Sequence, residues 1–206
     1  MRLTKYGHAC VRLEAGDRVL VIDPGTMSET ESLSGATAVL ITHEHDDHID
    51  VDKLRAAQAA NPALTVHTYA SLAAELGEGA TAVAPGDTFT AAGFTVRAVG
   101  GRHAETIDGL PDCANLGFLV DGVYHPGDSF FVPDQAVDTL LVPASGPWHK
   151  LGEAIEFVRA VSPGRAFPIH DANLSEVGQE NFDGWLEEKG RTAYARIPLG
   201  GSVDLP

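Results

Sequence analysis

The chain has 206 residues, 44% of them hydrophobic, and a formal net charge of −15. That length and composition suit one layered domain over 1–206 with a sizeable core, and not two comfortable ones. The acidity, unrelieved by any Lys/Arg-rich run, argues against an electrostatic grip on nucleic acid or anionic lipid.

Taken in chain order, Met1 to Tyr6 runs into a strand pattern without a signal-peptide stretch. Cys10 to Glu14 and Arg18 to Ile22 flank a Gly16-Asp17 turn and read as a hairpin that stops at Asp23-Pro24-Gly25. Ala36 to Thr42 is a continuous apolar strand of the buried kind. Ile49 to Ala60 places Val51, Leu54, Ala57 and Ala60 on one helical face, and Asn61-Pro62 ends it. A strand over 64–69, a short helix over 71–76, and strands over 81–83, 88–91 and 94–99 follow. Residues 104–114 form a polar loop. Leu116 to Val120 and Val123-Tyr124 make a hairpin around Asp121-Gly122. The remainder predicts a strand over 139–142, a helix over 151–161, a strand over 166–169, a helix over 175–188 and a closing strand and tail over 193–206. Strand-rich halves, each followed by helices, imply layered α/β with sheets inside and helices outside. No apolar run approaches the ~20 residues of a membrane span, so the expectation is a soluble cytoplasmic protein. Cys10 and Cys113 read as ordinary thiols, since neither has zinc-finger spacing to another Cys or His.

The densest chemistry is His43-Glu44-His45-Asp46-Asp47-His48, directly after the apolar strand. Acids favour a helix N-terminus, which accounts for Asp46, Asp47 and Asp50. It does not account for three of the chain's nine histidines within six residues. Such a cluster repels itself and resists burial unless a cation compensates it. In extended backbone His43 and His45 project the same way and can share one ion. Asp47 and His48, where the chain turns toward the helix, can reach a second point nearby. Two ions need more donors, and other apolar runs end in them: Asp23, His103, Asp128 and His170 each follow such a run beside Gly or Pro.

His43 to His48 is an H-x-H-x-D-H run, with Asp23 before it and His103, Asp128 and His170 after it. In this the chain resembles the metallo-β-lactamase superfamily. Tyr6-Gly7-His8-Ala9-Cys10 and Pro168-Ile169-His170-Asp171 are similar to the branch that includes the bacterial ascorbate-6-phosphate lactonase. The resemblance spans residues 23 to 170 and implies an αβ/βα four-layer sandwich, with two mixed sheets face to face and helices outside. It also implies two divalent metal ions. His43, His45 and His103 would hold one; Asp47, His48 and His170 would hold the other; Asp128 would bridge them. Asp23 would sit behind, orienting a ligand imidazole. Nitrogen and oxygen donors without thiolate suit zinc, with manganese, iron and nickel as alternatives.

The implied activity is hydrolysis of a small ester, lactone or phosphoester by hydroxide held between the two ions. No G-x-S-x-G elbow offers a serine instead. A nuclease or phosphodiesterase acting on nucleic acid is an alternative, and the charge stands against it. An iron-dependent redox enzyme of the same fold and a sensor that has lost catalysis are further ones. The expected partner is a small molecule, with no membrane or nucleic acid, and a homo-oligomer is left open. Asp47, His8 and His149 are the candidate catalytic residues. Hairpin register around Gly16-Asp17, with i + j near 33, carries His8 toward Gly25 and Asp23, where its imidazole can relay a proton. Trp148 and His149 lie in a loop that either lines the pocket mouth or packs on the surface. His125 and His67 read as supporting or structural, and Glu44 and Asp46 as solvated. The pocket walls are expected from loops 25–35, 104–114 and 144–150.

Overall fold

The computed structural model describes residues 1–206. Strands β1 (Arg2–Lys5), β2 (Val11–Ala15), β3 (Arg18–Ile22), β4 (Ala38–Leu40), β5 (Thr65–Thr68) and β6 (Ala80–Ala82) form one sheet with the last strand, β14 (Ser202–Asp204), in the order β14-β1-β2-β3-β4-β5-β6. The second sheet runs β13-β12-β11-β10-β9-β8-β7, from β7 (Thr88–Ala91), β8 (Phe94–Gly100), β9 (Leu116–Val120), β10 (Val123–His125), β11 (Thr139–Pro143), β12 (Arg165–Ile169) and β13 (Ala193–Tyr194). Both sheets are mixed: β3 to β6 are parallel neighbours, as are β10 to β13.

Side-chain alternation builds the layers. Leu20, Ile22, Ala38 and Leu40 face inward and meet Phe94, Val96, Phe118, Val120 and Leu141 of the other sheet in one core. Val19, Val21, Val39 and Ile41 face outward, against Leu54 of α1 (Val51–Ala60) and Leu72 and Leu76 of α2 (Ala70–Leu76). On the far side Leu140 and Val142 pack against Ala154, Ile155 and Val158 of α3 (Leu151–Val161) and Phe182 and Leu186 of α4 (Glu176–Lys189). The central strands are covered on both faces, which is why they read as unbroken apolar runs. The result is helix, sheet, sheet, helix, the four-layer αβ/βα sandwich that the resemblance implied.

Three differences from the sequence reading have local causes. The strand expected over Ala36 to Thr42 pairs regularly only over Ala38–Leu40, because the Thr42 N–H bonds the Asp23 side chain and leaves the ladder. The helix expected from Ile49 starts at Val51, where Asp50 accepts the Lys53 N–H and caps it. The closing segment is two short strands in different sheets: β13 pairs β12 and β14 pairs β1, with Pro198-Leu199-Gly200-Gly201 carrying the chain across.

Parallel strands align their carboxyl ends, so β3, β4 and β12 deliver their following residues to one edge, the usual place for a site in such sheets. There the loop after β3 lies against the loop after β4. A Cβ on Gly25 would come 2.0 Å from the Asp47 carbonyl oxygen, so only glycine permits this approach. Gly25→Ala must push the two loops apart, with an expected cost of about 1–3 kcal/mol. Urea unfolding of wild type and variant checks it; an unchanged midpoint would mean the loops separate freely.

Candidate metal centre

Asp23 follows β3 in a left-handed conformation (φ 52°) and is fully buried. Its Oδ1 accepts the Thr42 N–H at 2.8 Å and its Oδ2 accepts the Thr42 hydroxyl at 2.7 Å. Oδ2 also pairs with His48 Nδ1 at 2.7 Å. Thr42 Oγ1, having given its proton to Asp23, accepts from His43 Nδ1 at 3.0 Å. His103 Nδ1 donates to its neighbour's carbonyl, Ala104 O, at 2.7 Å. In three imidazoles the Nδ1 proton is thereby committed outward, so each neutral ring turns an Nε2 lone pair inward. Thr42 escaped the sequence reading, and its position directly before His43 was the signal available.

The inward atoms converge. His43 Nε2 lies 3.0 Å from His45 Nδ1. His48 Nε2 is 3.1 Å from Asp128 Oδ1, and His103 Nε2 is 3.4 Å from Asp128 Oδ2. His170 Nε2 is 3.1 Å from Asp128 Oδ2 and 3.3 Å from Asp47 Oδ2. His48 Nε2, His103 Nε2, His170 Nε2 and Asp128 Oδ1 are nonetheless buried without a hydrogen bond. Polar atoms so placed are costly alone. A cation held at about 2.0–2.1 Å by tetrahedral nitrogen and oxygen donors keeps those donors about 3.3 Å apart, which is the spacing observed. The donors fall into overlapping groups: His43, His45 and His103; His43, His48 and Asp128; and His8, Asp47, His48 and His170. The residue set fits metal.

His8 belongs with Asp47, but its tautomer sets it apart. Its Nδ1 accepts the Ala172 N–H at 3.2 Å, so its Nε2 carries the proton and donates to Asp47 Oδ2 at 3.0 Å. His8 therefore orients Asp47 where the other rings offer lone pairs. The β2–β3 register does have i + j of 33, with Val11 opposite Ile22, and the chain before it bends at Gly7 (φ 100°) and His8 (φ 44°). This bend brings His8 to Asp47 and lets its carbonyl accept the His170 N–H at 3.0 Å. His170 is also left-handed (φ 57°), and Ser145 Oγ donates to its carbonyl.

His149 is placed elsewhere. Its ring packs on Phe130, Trp148 and Phe182, outside the donor groups. Trp148 is buried, and its indole N–H donates to Asp128 Oδ2 at 3.0 Å, a contact that sequence did not signal. Asn115, also missed, accepts the Asp128 N–H at 2.9 Å and holds the loop before it. Cys113, on the loop 104–114, has its Sγ 4.0 Å from His45 Nε2. His125 is fully buried and reaches the Ala9 carbonyl at 2.9 Å; His67 stacks on Phe89. Glu44 and Asp46 are exposed, and Glu44 accepts from the Tyr69 hydroxyl.

Without a cation the cluster must take up protons. Burial opposes charge on His170, but the adjacent Asp128 and Asp47 carboxylates outweigh it and raise the ring to about 9. His48 behaves alike: burial works against its charge, Asp128 and Asp23 prevail, and it ends well above the usual imidazole range. Burial would raise Asp128, yet His48, His103 and His170 hold it well below the usual carboxylate range. Burial, then the charge of His48, lowers His43.

The beta-lactamase superfamily domain matches residues 2–170. The chain belongs to this superfamily. It is 42% identical to Protein Rv0786c of Mycobacterium tuberculosis, over 98% of this chain and 99% of that one. It is 30% identical to a UPF0173 metal-dependent hydrolase of Methanosphaerula palustris over the full length of both. Among solved structures, the metallo-beta-lactamase fold protein YhfI from Bacillus subtilis superposes with a TM-score of 0.76 at 18% identity, covering 98% of each chain. The fold implied by the H-x-H-x-D-H run is thus the fold found.

The proton balance gives a pH dependence. His170 at about 9 stands above the ordinary value, which is about 6.5 in an unfolded chain. Its protonation stabilises the metal-free fold fully below the unfolded pKa, and that contribution is lost as pH rises through the folded one. A divalent cation held by His170 would displace the same proton. Calorimetric zinc titrations in buffers of different ionisation enthalpy should show proton release at pH 7 that declines above pH about 9. Release that does not change across that range would show that His170 is not the group displaced.

Proposed function

We propose that this chain is a metal-dependent hydrolase that binds two divalent cations, zinc by the character of its donors, and cleaves a small ester, lactone or phosphoester. The observation that carries the proposal is the set of buried imidazole and carboxylate atoms that face one another at donor spacing without hydrogen bonds. The metal-dependent hydrolase named among its relatives, aligned over the full chain, supports the reaction class. The substrate class follows the likeness of Tyr6 to Cys10 and Pro168 to Asp171 to the lactonase-containing branch, and the unrelieved net charge of −15 speaks for a small molecule over nucleic acid.

In this reading His43 Nε2, His45 Nδ1 and His103 Nε2 would hold one cation, and Asp47, His48 Nε2 and His170 Nε2 would hold the other. Asp128 faces His103 of the first set and His48 and His170 of the second, and would serve both. Bound cations polarise the substrate oxygen and lower the pKa of water to about 7. The protein's part is orientation and proton traffic. Asp23 and Thr42 fix the rings of His43 and His48 from behind. His8 holds Asp47 through Nε2–H and is the neutral ring nearest the donors, since burial lowers it more than its bond to Asp47 raises it. That Nε2–H stays with Asp47, so we assign His8 to positioning it, and the leaving group regains through solvent the proton that the attacking water gives up, with His149 outside the donor groups. The chain acts as one domain over 1–206. No helix is long and apolar enough to cross a membrane.

Element analysis of protein purified without chelator should find close to two ions per chain, and Asp128→Ala should lose both; less than one equivalent after zinc or manganese is added would end the two-ion reading. His8→Ala should keep its metal but lose turnover by roughly 10–100-fold on a panel of p-nitrophenyl esters, lactones and phosphodiesters, the usual worth of a group that orients a ligand. Metal content and kcat measured on one preparation decide it, and unchanged turnover would reduce His8 to a structural role.

A further inference from the structure

Asp128 is 3% exposed and faces His48, His103 and His170, yet its side chain accepts one hydrogen bond, from the indole of Trp148. Once neutral, as a bound cation requires, the rings of His48 and His103 cannot supply another. Their Nδ1 protons go to Asp23 and the Ala104 carbonyl, so their Nε2 atoms present lone pairs to the carboxylate. Trp148 Nε1–H is thus the one donor to Asp128 whose proton stays in place at any working pH.

The surroundings hold the indole in this role. Trp148 sits in the loop after β11 and is 7% exposed. Its ring lies edge-on to Phe130 at 5.2 Å, to His103 at 6.0 Å and to His170 at 6.1 Å. A Cβ on Gly146 would stand 2.8 Å from its Nε1, so a glycine two residues earlier lets the loop close over the indole. With Oδ2 anchored by Trp148, the carboxylate plane is turned so that Oδ1 meets His48 and Oδ2 lies between His103 and His170. Both oxygens are thereby aimed into the donor cluster.

From this geometry we propose that Trp148 is a positioning residue: its indole N–H fixes the rotation of the Asp128 carboxylate so that one side chain serves both halves of the metal centre. This rests on the metal-dependent reading above and assigns the support of its central ligand. Hydrogen-bond partners behind a metal ligand typically contribute 10–100-fold in metal affinity. Trp148→Phe keeps an aromatic ring against Phe130 and removes only the donor and the second ring. Zinc affinity, measured by competition with a chromophoric chelator, should fall by about 10–100-fold in this variant.

The wild-type protein supplies a second readout. It has two tryptophans, and Trp185 is 45% exposed on α4. In ¹⁵N-labelled protein, with Trp185→Phe to assign the signals, the metal-free Trp148 indole N–H should be slow to exchange with solvent, shifted downfield, and displaced again when zinc is added. An indole proton that exchanges as freely as that of Trp185 overturns the inference, even should Trp148→Phe fail to fold. So does a folded Trp148→Phe that binds zinc as tightly as wild type. Wild-type protein that binds neither zinc nor manganese would instead overturn the metal-dependent reading, and this one with it.

Discussion

Burial of Asp128 among imidazoles is the interaction on which the rest of the molecule turns. A carboxylate 3% exposed, with His48 on one oxygen and His103 and His170 on the other, is a charge taken out of water. Removing a charge from water costs several kcal/mol unless it is paired and hydrogen-bonded. Protons can pair it, as the raised His48 and His170 do in the metal-free protein. Divalent cations can pair it better, since each replaces protons with a larger charge at donor distance. The same convergence that would be a liability in an ordinary core is what prepares the site for metal.

Holding such a cluster needs two rigid walls, and the sandwich supplies them. Asp23 and the H-x-H-x-D-H run come from the ends of β3 and β4 in one sheet. His103, Asp128 and His170 come from the ends of β8, β10 and β12 in the other. Because the sheets share a core of residues from both, their strand ends cannot drift apart without opening apolar surface. The donor spacing is thus set by hydrophobic packing some distance below it.

A second buried polar group locks the same edge. Lys5 Nζ donates to Asp171 Oδ2 at 2.6 Å and to the Pro168 carbonyl at 3.2 Å, joining β1 to the turn that carries His170. Arg196 also reaches Asp171, and it forks onto both oxygens of Asp183 in α4 at 2.7 Å. Removing one partner of such a network would strand a buried charge. This network stands directly behind the left-handed His170, and with Ser145 it supports a backbone conformation that a non-glycine residue seldom adopts alone.

Period and punctuation in the sequence determined most of the architecture. Apolar runs covered on both faces marked β3, β4 and β11, and Gly16-Asp17 and Asp121-Gly122 marked the hairpins, because strand burial and turn chemistry are local properties. The dense His/Asp run announced a cation for the same reason: no local structure accounts for three imidazoles so close together. The sequence by itself did not say that residues 193–206 divide between two sheets, since pairing partners are chosen by the whole fold. Nor did it reveal that Thr42 relays His43 to Asp23, that His8 orients Asp47, or that the indole of Trp148 reaches Asp128. Those contacts join residues as far as 39 positions apart. Their distances and tautomers exist only once two sheets have packed and brought their strand ends to one edge.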